Sequence, residues 1–138
     1  MSTSPTDFNA QVIHEFRANQ GRVGGMFQNM TLLLLGHTGA RSGQDRVNPV
    51  AYHKDGDRYV IYASKAGAPR HPAWYHNLKA HPEARIEVGE DALDVVASEA
   101  EGEERERLFD AQVERSPQFG EYQRKTDRVI PVMLLTPR

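Results

Sequence analysis

Apolar positions in this chain fall into short runs between polar turns, and the period of those runs changes along its length. Over residues 7–19, Phe8, Val12, Ile13 and Phe16 recur at helical spacing ahead of Gly21, which predicts an amphipathic helix with a glycine stop. Its polar face carries Glu15 and a single arginine, so its apolar face is expected to lie on the core as a lid; a weak membrane-surface contact is the other reading. Residues 31–35 form a continuous apolar run too short for a helix, the pattern of a strand buried on both faces. Residues 47–53 and 58–63 flank Lys54-Asp55-Gly56-Asp57, whose Asp-Gly pair marks a hairpin turn. Residues 85–88 and 92–97 alternate as a second hairpin across Gly89-Glu90-Asp91.

Pro72 suits the first turn of a short helix that runs through Trp74 and Leu78 and stops before Pro82. Residues 101–115 read as a helix with Leu108, Phe109 and Val113 inward, and Pro117 opens another carrying Phe119 and Tyr122. Residues 129–135 return as a strand, with Pro131 near its start or on an edge. Five or six hairpin strands with helices at the ends predict a mainly β fold with flanking α-helices, a small barrel. Strand–helix alternation and Gly-x-Gly-x-x-Gly are absent, which argues against a Rossmann domain. Gly36 to Gly43 lacks the Gly-Lys-Ser/Thr of a Walker loop.

A chain of 138 residues with no Ser/Gly/Pro-rich linker is expected to be one domain, residues 1–138. It shows no charged-then-apolar leader and no run near the ~20 apolar residues of a membrane span, so a cytoplasmic protein is expected, with peripheral membrane contact as the alternative. The lack of cysteine excludes disulfides, thiolate catalysis and flavin–thiol chemistry. A formal charge of −2 argues against nucleic-acid binding, but the charge is uneven. Residues 41–85 hold eight Lys/Arg against four acids, whereas residues 86–121 hold three Arg against twelve. An anionic ligand belongs on the first of these segments.

Two stretches there have the parts to hold one. Arg41-Ser42-Gly43-Gln44, with Arg46, offers backbone amides and guanidinium forks suited to phosphate or carboxylate. Ala63-Ser64-Lys65-Ala66-Gly67 has similar composition, and both follow predicted strands, so both are expected at one end of the barrel. A metal site is not expected: His71, His76 and His81 are five apart, and on a helix successive rings would turn by about 140°. Ser64 sits in no nucleophile elbow. Trp74 and Tyr75 suit core packing and ring stacking equally.

Thr38-Gly39, Arg46-Val47-Asn48-Pro49, Ala63-Ser64-Lys65-x-Gly67, Pro72-x-Trp74-Tyr75-x-Asn77-Leu78 and Tyr122-Gln123-x-x-Thr126-Asp127-Arg128-x-Ile130-Pro131 together resemble the deazaflavin (coenzyme F420)-dependent nitroreductase and quinone reductase family. The resemblance spans roughly residues 20–136 and implies a split β-barrel of the flavin-reductase type. It implies hydride transfer from reduced F420 to a quinone, enone, nitroaromatic or similar electron-poor small molecule. Carried over by position, Arg41, Ser42, Gly43, Gln44 and Arg46, assisted by Lys65, would hold the cofactor's phosphate and glutamate tail. Ala63, Ser64, Ala73, Trp74, Tyr75 and Asn77 would line the deazaflavin, with Ser64 and Tyr122 orienting or protonating the acceptor.

The chain departs from the family pattern where the acceptor would sit. Ser116 and Phe119 stand where tyrosines are usual, leaving Tyr122 with the hydroxyl and Phe119 as an apolar wall for a flat ring. His37 replaces an expected threonine, and Ala40 stands where a basic residue is common. The alternatives are a non-catalytic deazaflavin or haem carrier and an FMN-dependent oxidoreductase on the same barrel. Either a monomer or a homodimer is compatible with the sequence.

Overall fold

The computed structural model describes residues 5–23 and 31–138, with side chains from Ala10 onward in the first segment, so Phe8 of the predicted stripe lies outside the described side chains. Leu32, Leu33, Leu34 and Leu35 are all buried. Because successive strand residues face opposite sides, both faces of β1 (Leu32–Thr38) need cover. Leu33 and Leu35 point into a core with Ile61, Ile86, Val95 and Met133. Leu32 and Leu34 meet Val12 and Phe16 of α1 (Pro5–Ala18) on the outside. Each such burial contributes about 1.5–3 kcal/mol, so the apolar stripe of α1 is committed to the barrel wall.

The other strands are β2 (Asp45–Asp55), β3 (Arg58–Tyr62), β4 (Glu83–Val88), β5 (Asp91–Glu99) and β6 (Val132–Pro137). They close into an antiparallel barrel in the order β1-β2-β3-β6-β5-β4, which bears out the split-barrel expectation. Asp55 pairs with Arg58 and Val88 with Asp91, so each hairpin turns on two residues, the first a glycine. Closure leaves no edge among the six described strands. Pro131 therefore precedes β6, and its carbonyl accepts a hydrogen bond from Ala63 N at 3.0 Å.

Helices cover what the strands leave open. Trp74 and Leu78 of α2 (Ala73–Ala80) join the inner core and plug one mouth of the barrel. Pro72 stands at the N-cap of α2, one position before the predicted first turn. Leu108 and Phe109 of α3 (Gly102–Arg115) and Phe119 of α4 (Gln118–Arg124) bury the outer residues Val60, Tyr62, Val132 and Leu134 of β3 and β6.

Candidate active site

A cleft of about 630 Å³ opens between β2, the turn Lys65–Gly67, the start of α2 and α4. Its lining is mostly apolar: Pro49, Val50 and Ala51 from β2, Trp74 from α2, and Phe119 and Tyr122 from α4. Asn48, Ser64, Lys65 and Gln118 supply its polar groups. Phe119 is held edge-on between Tyr62 at 5.7 Å and Tyr122 at 5.3 Å between ring centroids.

Tyr62 is itself tied down. Its hydroxyl donates to the Leu108 carbonyl at 3.2 Å, so His53 Nδ1, 2.9 Å away, is the donor to that oxygen. Burial first, then Arg115 and Arg107, push the His53 pKa down to about 4 against the opposing pull of Asp55. A ring kept neutral in the fold while free histidine protonates near 6.5 contributes stability above that pH and loses it as pH falls towards 4. The expected loss is about 2 kcal/mol between pH 7 and 4, the half-buried position trimming the full linkage figure. Urea denaturation of the protein and of His53→Asn at both pH values checks this: the variant should show the shallower pH dependence.

The turn carrying Ser64 and Lys65 is held by Arg128, a residue without a neighbour in sequence to suggest it. Its Nε donates to the Ala68 carbonyl at 2.9 Å, Nη1 to the Ala63 carbonyl at 3.1 Å and Nη2 to the Ser64 carbonyl at 2.8 Å. Nη1 also meets His71 Nδ1 at 2.9 Å. The Ser64 hydroxyl takes part in none of the hydrogen bonds among the described residues and faces the cleft. A second recess of about 500 Å³ adjoins through Lys65 and Ala73, lined by Arg70, His71, His76 and Arg128 and by no carboxylate.

The loop 39–44 joins β1 to β2 and meets α2 through Ala40 and Asn77. Its amides are largely committed: Gly39 N donates to the Gln44 carbonyl, Gly43 N to the Gly39 carbonyl, Gln44 N to Ser42 Oγ and Ala40 N to Asn77 Oδ1. Four of the loop's six backbone N–H groups, those of Gly39, Ala40, Gly43 and Gln44, are thus used within the fold. Arg41, Arg46, Lys65 and Arg70 are exposed and in none of the ion pairs among the described residues.

The structure gathers Ser64, Lys65, Ala73, Trp74, Phe119 and Tyr122 of the predicted set around one cleft. Others lie elsewhere. Ala63 is fully buried in the barrel core, and Ser116 sits half-buried at the C-cap of α3. Tyr75 turns away from the cleft, with its ring 4.6 Å from that of His71 and its hydroxyl donating to Glu99 at 2.8 Å, and burial helps push its pKa up to about 12. Asn77 is buried, with both amide atoms engaged. Arg41, Ser42, Gly43, Gln44 and Arg46 are exposed and do not line the cleft, and Arg46 lines a separate recess with His37 and Arg85. Sequence reasoning missed Asn48, Pro49 and Arg128 as site residues, although all three stand inside motifs it had singled out. The histidines are also arranged differently from the expectation. His71 precedes α2, so the helical angle does not apply to it, and its ring approaches His76 at 5.8 Å. Among the described residues, no group of three or more His, Cys, Asp or Glu is placed to hold a metal, and no helix is long and apolar enough to cross a membrane.

A family model described as F420H(2)-dependent quinone reductase matches residues 9–137. A curated relative, an F420H(2)-dependent quinone reductase of Mycobacterium tuberculosis strain H37Rv, is 40% identical over 127 residues, covering 89% of this chain and 85% of its own length. A solved F420-H2 dependent reductase (FDR-A) superimposes with a TM-score of 0.69 at 44% identity, over 75% of this chain and 92% of that one. A further structure, described as a domain-swapped dimer, matches with a TM-score of 0.70 at 39% identity, over 96% of this chain and 99% of that one.

Proposed function

Since this chain belongs to the F420H(2)-dependent quinone reductase family, we propose that it is an oxidoreductase that passes a hydride from reduced coenzyme F420 to a quinone or another flat, electron-poor small molecule. The observation that carries the reading is a mostly apolar cleft with Lys65 in its wall, in a chain that also leaves Arg41 and Arg46 exposed and outside every ion pair among the described residues. Pro49, Val50 and Trp74 suit a deazaflavin ring, while Lys65, Arg41 and Arg46 suit a phosphate and glutamates. The residues therefore fit the cofactor.

When bound, the reduced deazaflavin supplies the hydride. The chain's own part is to seat the ring against Trp74 and Pro49, exclude water with Phe119 and place polar hydrogens beside the acceptor. Ser64, whose hydroxyl is uncommitted, and Tyr122 on the facing helix are the donors for that last task. Ser116 lies outside the cleft lining, so Phe119 and Tyr122 form the acceptor's wall. Asn77 and Ala63 act behind the surface, holding the loops that meet the cofactor. Residues 1–138 act as one domain in this reading. A homodimer is supported by the domain-swapped neighbour, and light scattering tests it. A cytoplasmic site is supported by the lack of cysteine.

Titration with F420 and with FMN, following the fluorescence of Trp74 at the cleft wall, tests the assignment. Saturable quenching by F420 at micromolar concentration with little response to FMN is expected; response to FMN alone would overturn the cofactor. Two substitutions should then separate binding from chemistry. Lys65→Ala is expected to raise the F420 dissociation constant about tenfold with turnover of bound cofactor kept. Tyr122→Phe is expected to lower turnover at least about tenfold with affinity kept, and unchanged turnover with every acceptor tried would remove its catalytic role.

A further inference from the structure

A series of hydrogen bonds, buried at its centre, runs from the cleft to the cationic loop, with a histidine in the middle. Ala40 N donates to Asn77 Oδ1 at 2.8 Å, Asn77 Nδ2 meets His37 Nδ1 at 3.0 Å, and His37 Nε2 meets Asn48 Oδ1 at 2.7 Å. Chemistry fixes the direction of each link. The amide of Ala40 can only donate, so Asn77 presents its oxygen there and its NH₂ to His37. His37 Nδ1 must then accept, and Nε2 carries the hydrogen given to Asn48. The ring is the neutral Nε2–H tautomer, buried at 4% exposure beside Asn77 at 6%. Asn48 lines the cleft, and Ala40 begins the loop that carries Arg41.

We propose that His37 is a positioning residue for the cofactor's anionic tail: its neutral ring fixes loop 39–44 against α2, so that tail affinity depends on it more strongly than the seat of the deazaflavin ring, which it reaches only through the Asn48 side chain. The proposal rests on the cofactor reading above and adds to it a part for a residue that no cofactor atom need touch. A threonine, expected here from the resemblance, has one hydroxyl and cannot span both asparagines. The connection therefore belongs to this sequence.

A proton on Nδ1 would set an N–H against the N–H of Asn77 and break the series at its centre. The charged residues that line one recess with His37 are Asp45 and Arg46 from β2, Glu83 and Arg85 from β4, Asp94 from β5 and Arg138 beyond β6. Arg85 is paired with Asp94 at 3.6 Å and Arg138 with Glu83 at 3.7 Å. α2 presents the uncharged Asn77. Burial first, and Arg46 after it, hold the His37 pKa below the ordinary 6.5, with the hydrogen bond to Asn48 pulling the other way. The loop is therefore set at neutral pH and released on acidification below that ordinary value.

The test uses the full chain, His37→Ala and His37→Gln, and two ligands: F420 and the riboflavin-level deazaflavin that lacks phosphate and glutamates. Glutamine offers one N–H and one carbonyl oxygen, the same pair of roles as the neutral ring. His37→Ala should weaken F420 about tenfold or more and the tail-less ligand less than about twofold, and His37→Gln should restore most of the loss. Without ligand, hydrogen exchange at the Ala40 amide, corrected for its intrinsic rate, should quicken in His37→Ala at pH 7 and in the unmodified protein as the pH is stepped down below 6.5. Equal weakening of both ligands, or Ala40 protection indifferent to His37 and to pH, would overturn the proposal. Failure of the unmodified protein to bind F420 would instead strike the proposed function, and Ala40 exchange would still decide the positioning.

Discussion

Arg128→Ala is expected to lose about 3–5 kcal/mol of stability and to raise the F420 dissociation constant more than about a hundredfold. The guanidinium donates to three carbonyls spread over residues 63–68 and meets His71 besides. A hydrogen bond from a charged donor contributes about 1.5–3 kcal/mol, and truncation strands acceptors that the fold has turned inward. Those acceptors belong to the segment that presents Ser64 and Lys65, so the loss falls on the cleft as well as on the fold. Arg128 is aimed by a second layer. Gln123 Nε2 donates to the Arg128 carbonyl at 2.7 Å and Gln123 Oε1 accepts from Ile130 N at 3.0 Å, while the buried Arg105 donates to Gln123 and to the Ile130 carbonyl. Lysine has one ammonium and cannot cover three diverging carbonyls, so Arg128→Lys should recover only a minor part. Urea unfolding read beside the Trp74 titration checks both effects. A stability within about 0.5 kcal/mol of the parent, with normal F420 binding, would show that the turn holds itself.

That clamp also marks the limit of what could be read from residue order. Strand β1, the two hairpins and the long helix α3 were legible because their signals are local: an apolar run, an Asp-Gly turn, a helical stripe. Arg128 reaches carbonyls 60 and 64 residues away, and His37 finds Asn77 across 40. No spacing rule reports such partners, since the tertiary fold chooses them. The motifs quoted for the family resemblance nevertheless contained Asn48, Asn77 and Arg128, so the segments were found although the directions of their side chains were not. Tyr75 shows why. The barrel mouth takes Trp74 and Leu78, one turn apart on α2, as its plug, and this leaves Tyr75 rotated about 100° from Trp74 towards His71 and Glu99. Trp74 serves both of the roles that its sequence left open, a core residue that also forms a wall of the cleft. For Pro131 the sequence allowed the start of a strand or an edge; barrel closure, which is not a local property, decided between the two.

Gly67→Ala is expected to lose about 2–4 kcal/mol of stability and more than about tenfold in turnover, although the change adds one methyl group. Gly67 is buried with φ at +80°, a region that costs a side chain about 1–2 kcal/mol. A Cβ there would stand 2.8 Å from the Tyr122 carbonyl oxygen, 3.0 Å from Tyr122 Cα and 3.1 Å from Lys125 Cβ. The first two are backbone atoms of α4, so the contact cannot be relieved by a rotamer; the helix itself must move. α4 carries Phe119 and Tyr122, and the turn ending at Gly67 carries Ser64 and Lys65, so this glycine sets the width between two walls of the cleft. Gly56→Ala separates the two causes. Gly56 has φ at +62°, and a Cβ there would meet nothing within 4 Å, so it carries the conformational cost without the collision. Stability and turnover of the two variants, measured together, should differ by the collision alone. If Gly67→Ala matched Gly56→Ala in stability and kept its turnover, the spacing between the Ser64 turn and α4 would be free to relax, and Tyr122 would not need the position this glycine sets for it.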